Sequence, residues 1–274
     1  MYYLNGEFQG KVSVIDRGLA YGHGLFETIR LSAGDLPLWN YHCVRLKNGA
    51  ARLGLVINET LLEQFRDQLL DTCPKDGVIK IIVTAGSGGR GYRSDSDLMS
   101  NYLFQWFPLP NNPSANSERG ISLKLCDYAL SSTPKLAGIK HLNRLEQVLA
   151  RAEWENEYTE GLMLDQQGNV IEGVSSNLFC CQDGHWLTPS LDQCGVAGVM
   201  RQYLLDELFP SLSIAVSEVN MSFDELLLME QLFVCNSVVG IWPVVAIENY
   251  ATWALGEETT HIQNQLRQAL PCYA

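Results

Sequence analysis

The segment from Leu109 to Gly120 does most to limit what this chain can fold into. It carries Pro110, Pro113, three asparagines and two serines, and it has no hydrophobic period. Proline removes a backbone donor, and clustered Asn and Ser favour turns, so the stretch reads as a linker or long loop. The chain then divides into a small N-terminal domain (1–110), a linker (111–119) and a larger C-terminal domain (120–274). With 274 residues, 46% of them hydrophobic, both parts can build cores. No internal repeat is visible.

The first part opens with turn signals. Asn5-Gly6 separates Met1 to Leu4 from Glu7 to Gly10, and Ser32-Ala33-Gly34-Asp35 separates Phe26 to Leu31 from Leu36 to Trp39. Both patterns predict hairpins. Leu46, Leu53 and Leu55, then Leu61, Leu62, Phe65, Leu69 and Leu70, recur near the helical period, so 41–53 and 59–72 are expected as helices. Residues 78–85 and 102–107 read as buried strands. In the second part, 162–164 with 170–172, 177–181 with 186–188, and 231–236 read as strands. Helices are expected at 143–156, 198–208, 223–229 and 260–270. Strands and helices mix without a strict βαβ rhythm, which makes the fold class α+β with two domains.

Charge and cysteine content exclude several functions. A formal charge of −12 argues against nucleic acid or an anionic membrane as partner. An anionic ligand would need locally placed cations or helix N-termini. No apolar run is long enough to span a membrane, and Met1 to Gly6 does not open a signal peptide. The eight cysteines form no CxxC pair and no zinc-ligand spacing, so no metal is expected. They read as reduced, buried thiols of a cytoplasmic protein.

Lys140 is one of only seven lysines and follows the apolar run Leu136-Ala137-Gly138-Ile139. A desolvated amine there can act as a nucleophile or base, or condense with an aldehyde such as that of pyridoxal phosphate. The alternative is a snorkelling side chain with its head in water. Such a cofactor also needs a carboxylate for its ring nitrogen and donors for its phosphate. Glu172, between Ile171 and Gly173, is the candidate carboxylate, or else a rim residue in a turn. Arg45, on the expected helix, offers a planar fork to phosphate, or else faces solvent. The turn Gly195 to Arg201 could present free N–H groups at Val196 and Ala197 to a phosphate. Ser175, Asn177, Asn236 and Ser237 complete the candidate cofactor contacts. Gly86 to Tyr92 is a glycine-rich loop that does not match a nucleotide-binding pattern. Its Arg90 and Tyr92, with Arg144, are candidates to meet substrate carboxylates; a plain surface loop is the alternative.

Taken in order, these segments resemble the fold-type IV pyridoxal-phosphate family, which includes branched-chain and D-amino acid aminotransferases and aminodeoxychorismate lyases. The resemblance runs through Asp16-Arg17-Gly18, Tyr21 to Glu27, His42 to Leu46, Arg90-Gly91-Tyr92, Lys140, Glu172 to Phe179, Gly195 to Arg201 and Cys235-Asn236. Gly86 to Tyr92, Leu136 to Leu149, Leu191 to Arg201 and Val234 to Asn236 are similar to the lyase branch. Two residues depart from the pattern. Val174 stands where many relatives have a smaller residue, and Glu27 stands where lyases vary. The resemblance implies a β-barrel-like sheet in the larger domain, a homodimer, and pyridoxal 5'-phosphate as cofactor. It implies Lys140 as the Schiff-base lysine, Glu172 on the pyridine nitrogen and Arg45 on the phosphate. It further implies conversion of 4-amino-4-deoxychorismate to 4-aminobenzoate and pyruvate, a folate-precursor step. A branched-chain or D-amino acid aminotransferase and a non-catalytic cofactor-binding protein remain the alternatives.

Overall fold

Residues 1–95, 98–111 and 114–274 are described by a computed structural model. The chain forms two compact units, 1–110 with 139–143, and 111–138 with 144–274. Residues 112 and 113 of the expected linker lie outside the described residues. The rest of that segment is not all loop, because Ala115–Arg119 is helical and Ser117 O accepts from Gln263 Nε2 at 3.0 Å.

The first unit contains β1 (Tyr2–Leu4), β2 (Glu7–Phe8), α1 (Arg17–Tyr21), β3 (Gly24–Leu31), α2 (Trp39–Leu53), α3 (Glu59–Leu70), β4 (Gly77–Thr84) and β5 (Asn101–Phe107). Its sheet has the order β2-β1-β5-β4-β3, with every pairing antiparallel. Alternation along β3 and β4 turns Leu25, Ile29, Leu31, Ile79, Ile81 and Val83 to one face. Leu46 and Ala50 of α2 and Leu62, Phe65 and Leu69 of α3 cover that face. The Asn5-Gly6 hairpin forms, but the one expected across residues 32–35 does not. Only Ser32 and Asp35 bridge. Pro37 offers no donor to a ladder, and Trp39 begins α2 instead.

Ile139 to Asn143 belongs to this first unit and not, as expected, to the second. Strand β3 is a sheet edge with unmet backbone groups. Lys140 O accepts from Phe26 N at 3.0 Å, Leu142 N donates to Gly24 O at 3.0 Å, and Ile139 joins the core. The segment thus satisfies the edge of β3.

The second unit contains α4 (Ala115–Arg119), β6 (Ile121–Leu125), α5 (Leu145–Arg151), β7 (Glu160–Leu164), β8 (Val170–Gly173), β9 (Asn177–Gln182) and β10 (His185–Pro189). Then come α6 (Val199–Tyr203), α7 (Phe209–Ser211), β11 (Val216–Val219), α8 (Phe223–Leu226), β12 (Gln231–Asn236), β13 (Gly240–Ile247), β14 (Ala251–Thr252) and α9 (Glu257–Ala269). The sheet order is β11-β10-β9-β12-β13-β6-β7-β8, with β14 on β13. It curls until Val170 N, at the start of β8, donates to Met221 O beyond β11 at 2.8 Å. This is the barrel-like sheet expected of the larger domain.

Four strands were missed: β6, β11, β13 and β14. Pro243 argues against a strand, yet β13 tolerates it because pairing with β6 begins only at Val244. The helix expected at 198–208 widens into a π turn over Leu204–Leu208 between α6 and α7. Pro210 lacks the N–H an α-helix would use there, which accounts for the irregularity. Helix α5 is shorter than 143–156, since Asn143 instead donates to Gly22 O at 3.1 Å within the first unit.

Candidate active site

In the first unit, Glu27 shares the face of β3 that carries Leu25, Ile29 and Leu31, and is buried. His42 and Arg45, three residues apart on α2, face it together. Glu27 Oε2 lies 2.6 Å from His42 Nδ1, and Oε1 accepts from Arg45 Nε at 2.9 Å; Arg45 Nη2 also bonds Oε2. Burial alone would raise the Glu27 carboxyl. The Arg45 charge and the hydrogen bonds from His42 and Arg45 outweigh it and hold the group at about 2. Burial also lowers His42, against the pull of Glu27. A neutral His42 giving its Nδ1–H to an ionised Glu27 satisfies both shifts.

Arg45 is therefore not a free fork on a solvated helix face. It is mostly buried and gripped by Glu27. Lys140 stands on the other face of β3, its Nζ 4.5 Å from the Phe26 ring centroid, where a cation–π contact steadies the amine. Arg90 and Tyr92 are exposed on their loop, and the Tyr92 ring packs 5.6 Å from that of Tyr21.

In the second unit, Glu172 lies in β8, one residue before its end, and is buried. Its Oε2 accepts from Val196 N at 2.9 Å and from Asn177 Nδ2 at 3.4 Å. Asn177 Nδ2 also reaches Val196 O at 2.9 Å, so one amide locks the strand to the turn. Gly195 takes φ +83°, which lets the turn pass close to Ile171 and Glu172. The expectation of free donors in this turn is corrected. Val196 N–H serves Glu172, and Ala197 N–H donates to Gly138 O at 3.1 Å. Closure of the turn consumed them.

Other candidates also have structural duties. The Ser175 hydroxyl donates to Glu160 Oε2 at 2.6 Å, and Ser176 does so at 2.9 Å. Asn236 Oδ1 accepts from Val238 N and Val239 N at 2.9 and 3.0 Å, so it builds the β12–β13 turn. Ser237 O accepts from Tyr273 Oη at 2.8 Å. Burial pushes the Arg144 guanidinium down, and the charges of Glu172 and Glu146 draw it back up. Glu160 was missed. It is buried, and burial raises its carboxyl despite the serine hydrogen bonds. Nothing local separates it from a rim glutamate. Glu27 did carry a signal, because period-two alternation places it among core residues.

Taken unit by unit, the groups suit parts of a pyridoxal phosphate: in the first, an amine held against an aromatic ring suits an aldehyde and an arginine suits a phosphate. In the second, a buried, oriented carboxylate suits a cationic ring nitrogen. Among the described residues no group of three or more His, Cys, Asp or Glu side chains could hold a metal ion.

Residues 24–247 match the family described as amino-transferase class IV. The aminodeoxychorismate lyase of Vibrio harveyi is 35% identical over 97% of this chain and 99% of its own. The crystal structure of 4-amino-4-deoxychorismate lyase from Pseudomonas aeruginosa superposes with a TM-score of 0.92 at 43% identity, covering 98% of this chain and 99% of that one. A D-alanine aminotransferase of Bacillus licheniformis is 26% identical over 94% of this chain and 92% of its own. With a match across most of its length and relatives covered nearly end to end, the chain belongs to the amino-transferase class IV family.

Proposed function

We propose that this protein is a pyridoxal-phosphate-dependent aminodeoxychorismate lyase that releases 4-aminobenzoate and pyruvate. The observation that carries this is the near end-to-end similarity to lyases from two organisms. When bound, the cofactor supplies an aldehyde that captures the substrate amine and a protonated ring that accepts electrons.

The chain's own residues do the rest. Lys140 would hold the cofactor's aldehyde, and its neutral amine would take the proton from the amine-bearing carbon of the substrate. A positioned base of this kind contributes about 10²–10⁴-fold. Glu172, fixed by Val196 N–H and Asn177, would keep the ring nitrogen protonated. Arg45, whose guanidinium Glu27 orients, would meet the phosphate. Ser175, Asn177, Asn236 and Ser237 hold the backbone around the cofactor, and Val196 and Ala197 contribute shape. Arg90 and Tyr92 receive substrate carboxylate, and Arg144 adds positive charge. Loss of the enolpyruvyl group lets the ring become aromatic, so no amino acceptor is needed. The protein acts as a homodimer in the cytoplasm, without nucleic acid or membrane. No helix among the described residues is long and apolar enough to cross a membrane.

The test is incubation with aminodeoxychorismate and no added 2-oxo acid. Equal amounts of 4-aminobenzoate and pyruvate over many turnovers are expected. The similarity to a D-alanine aminotransferase supports a second reading, transamination. An absolute need for a 2-oxo acid, or faster turnover of D- or branched-chain amino acids, would decide for it.

A further inference from the structure

Arg17 is 3% exposed at the start of α1, yet its side chain serves a loop some seventy residues away. Its Nη1 donates to Gly88 O, Gly91 O and Arg93 O at 3.3, 3.1 and 3.4 Å, and its Nη2 donates to Tyr92 O at 3.0 Å. Nε donates to His23 Nδ1 at 3.3 Å, while His23 Nε2 lies 2.9 Å from Leu53 O, so the histidine ties the guanidinium to the end of α2. The Tyr21 ring lies 5.0 Å from Arg17 Cζ. The adjacent Asp16 does not neutralise the charge. Its carboxylate accepts from Gly18 N, Leu19 N, Thr84 Oγ1 and Asn101 Nδ2. Among the described residues no carboxylate stands within ion-pair distance of Arg17.

A buried guanidinium without a counter-ion is costly unless its donors are met. Here four loop carbonyls meet them, so residues 88–93 close around the cation. The same loop carries Arg90 and Tyr92 on its outer side. A positive charge thus lies beneath two side chains suited to an anion, in a chain whose net charge is −12.

We propose that Arg17 is a positioning residue for substrate specificity. It folds residues 88–93 around its guanidinium and so sets Arg90 and Tyr92 to receive a carboxylate, resting on the lyase reading for the identity of that substrate. Arg→Lys is not conservative at such a site, because an ammonium cannot span four carbonyls from one plane.

Two variants and two readouts test this. Arg17→Lys removes the fork. Gly89→Ala attacks the same cage from the exposed loop: at φ +75° its Cβ would lie 2.3 Å from Arg93 O and 3.1 Å from Arg17 Nη1. It keeps the proposal testable should Arg17→Lys fail to fold. The first readout is limited trypsin digestion of the cofactor-loaded protein. The wild type should resist cleavage after Arg90 and Arg93, and both variants should be cut there at least about tenfold faster, the scale expected for losing charge-assisted hydrogen bonds. The second is steady-state kinetics. KM for aminodeoxychorismate should rise about tenfold while kcat stays within about threefold, since the loop binds carboxylate and does not move the proton. Cleavage rates equal to wild type, or faster cleavage with unchanged KM, would overturn the proposal. Digestion needs no substrate, so a wild-type protein that releases no 4-aminobenzoate sinks the lyase reading alone. The KM comparison is then made with the amino acid that the protein does turn over, whose carboxylate meets the same loop.

Discussion

On the proposed reading, cofactor handling turns on Glu172 and Arg45, the first held by Val196 N–H and Asn177 and the second by Glu27. Glu172→Gln keeps the shape and the bond from Val196 N–H but removes the charge that retains a proton on the ring nitrogen. A charge-assisted hydrogen bond is worth roughly 1.5–3 kcal/mol, so turnover at saturating cofactor should fall at least about tenfold, and Glu172→Asp should lose less. Equal turnover in the Gln variant would return Glu172 to the status of a turn residue. Arg45→Ala should do two things. It should weaken cofactor affinity about ten- to a hundred-fold. It should also strand the buried Glu27 carboxylate, a loss of about 3–5 kcal/mol of stability. Adding Glu27→Gln should recover the melting temperature without recovering affinity. Recovery of both would place Arg45 in the fold alone.

At the scale of elements, the turn before α6 links sheet to site. Gly195 sits at φ +83°, and a Cβ there would lie 2.9 Å from Ile171 Cγ2 and 3.4 Å from Glu172 Cδ. Gly195→Ala should therefore displace Val196 N–H from Glu172. The expected result is a fall in kcat like that of Glu172→Gln, together with a lower melting temperature from left-handed backbone strain, about 1–2 kcal/mol. Unchanged kcat alongside a lower melting temperature would separate the turn from the chemistry. Strand β3 does comparable work for the first unit, with Glu27 facing α2 and Phe26 facing Lys140.

Across the whole molecule, acid and thiol reagents report how the buried polar groups are held. His42 takes up a proton less readily in the folded state than in the unfolded one, so its contribution is complete above about pH 6.5 and declines below it. Glu27 is held at about 2 against an ordinary 4.5, so its contribution is complete above pH 4.5 and is lost as pH falls toward 2. Urea midpoints measured from pH 8 to pH 3 should fall in both windows, and Glu27→Gln should flatten the lower one. None of the eight cysteines is in a disulfide, and only Cys43 and Cys272 are less than fully buried. Burial pushes Cys126, Cys180, Cys181, Cys194 and Cys235 up to about 12. A neutral-pH thiol titration of the native protein should count at most these two half-buried groups, and eight after unfolding. Rapid reaction of more than two native thiols would contradict the packing.

What the sequence determines by itself is whatever short-range patterning carries. Turn residues and period-two or period-3.6 hydrophobicity suffice for the Asn5-Gly6 hairpin, α2, α3, β4, β5, β9 and β12, because local propensity and burial agree there. The order of motifs from Asp16 to Asn236 suffices to point to the family. Tertiary structure alone decided the rest. Lys140 joins the first unit because the bare edge of β3, more than a hundred residues earlier, had backbone groups to satisfy. Glu27 grips Arg45 because a strand face and a helix face meet, a contact that neither segment encodes. Val196 and Ala197 spend their N–H groups on Glu172 and Gly138, and Arg17 is wrapped by a loop that lies two strands and two helices further on. In each case a polar group removed from water must find a partner, and the partner lies far away in the chain.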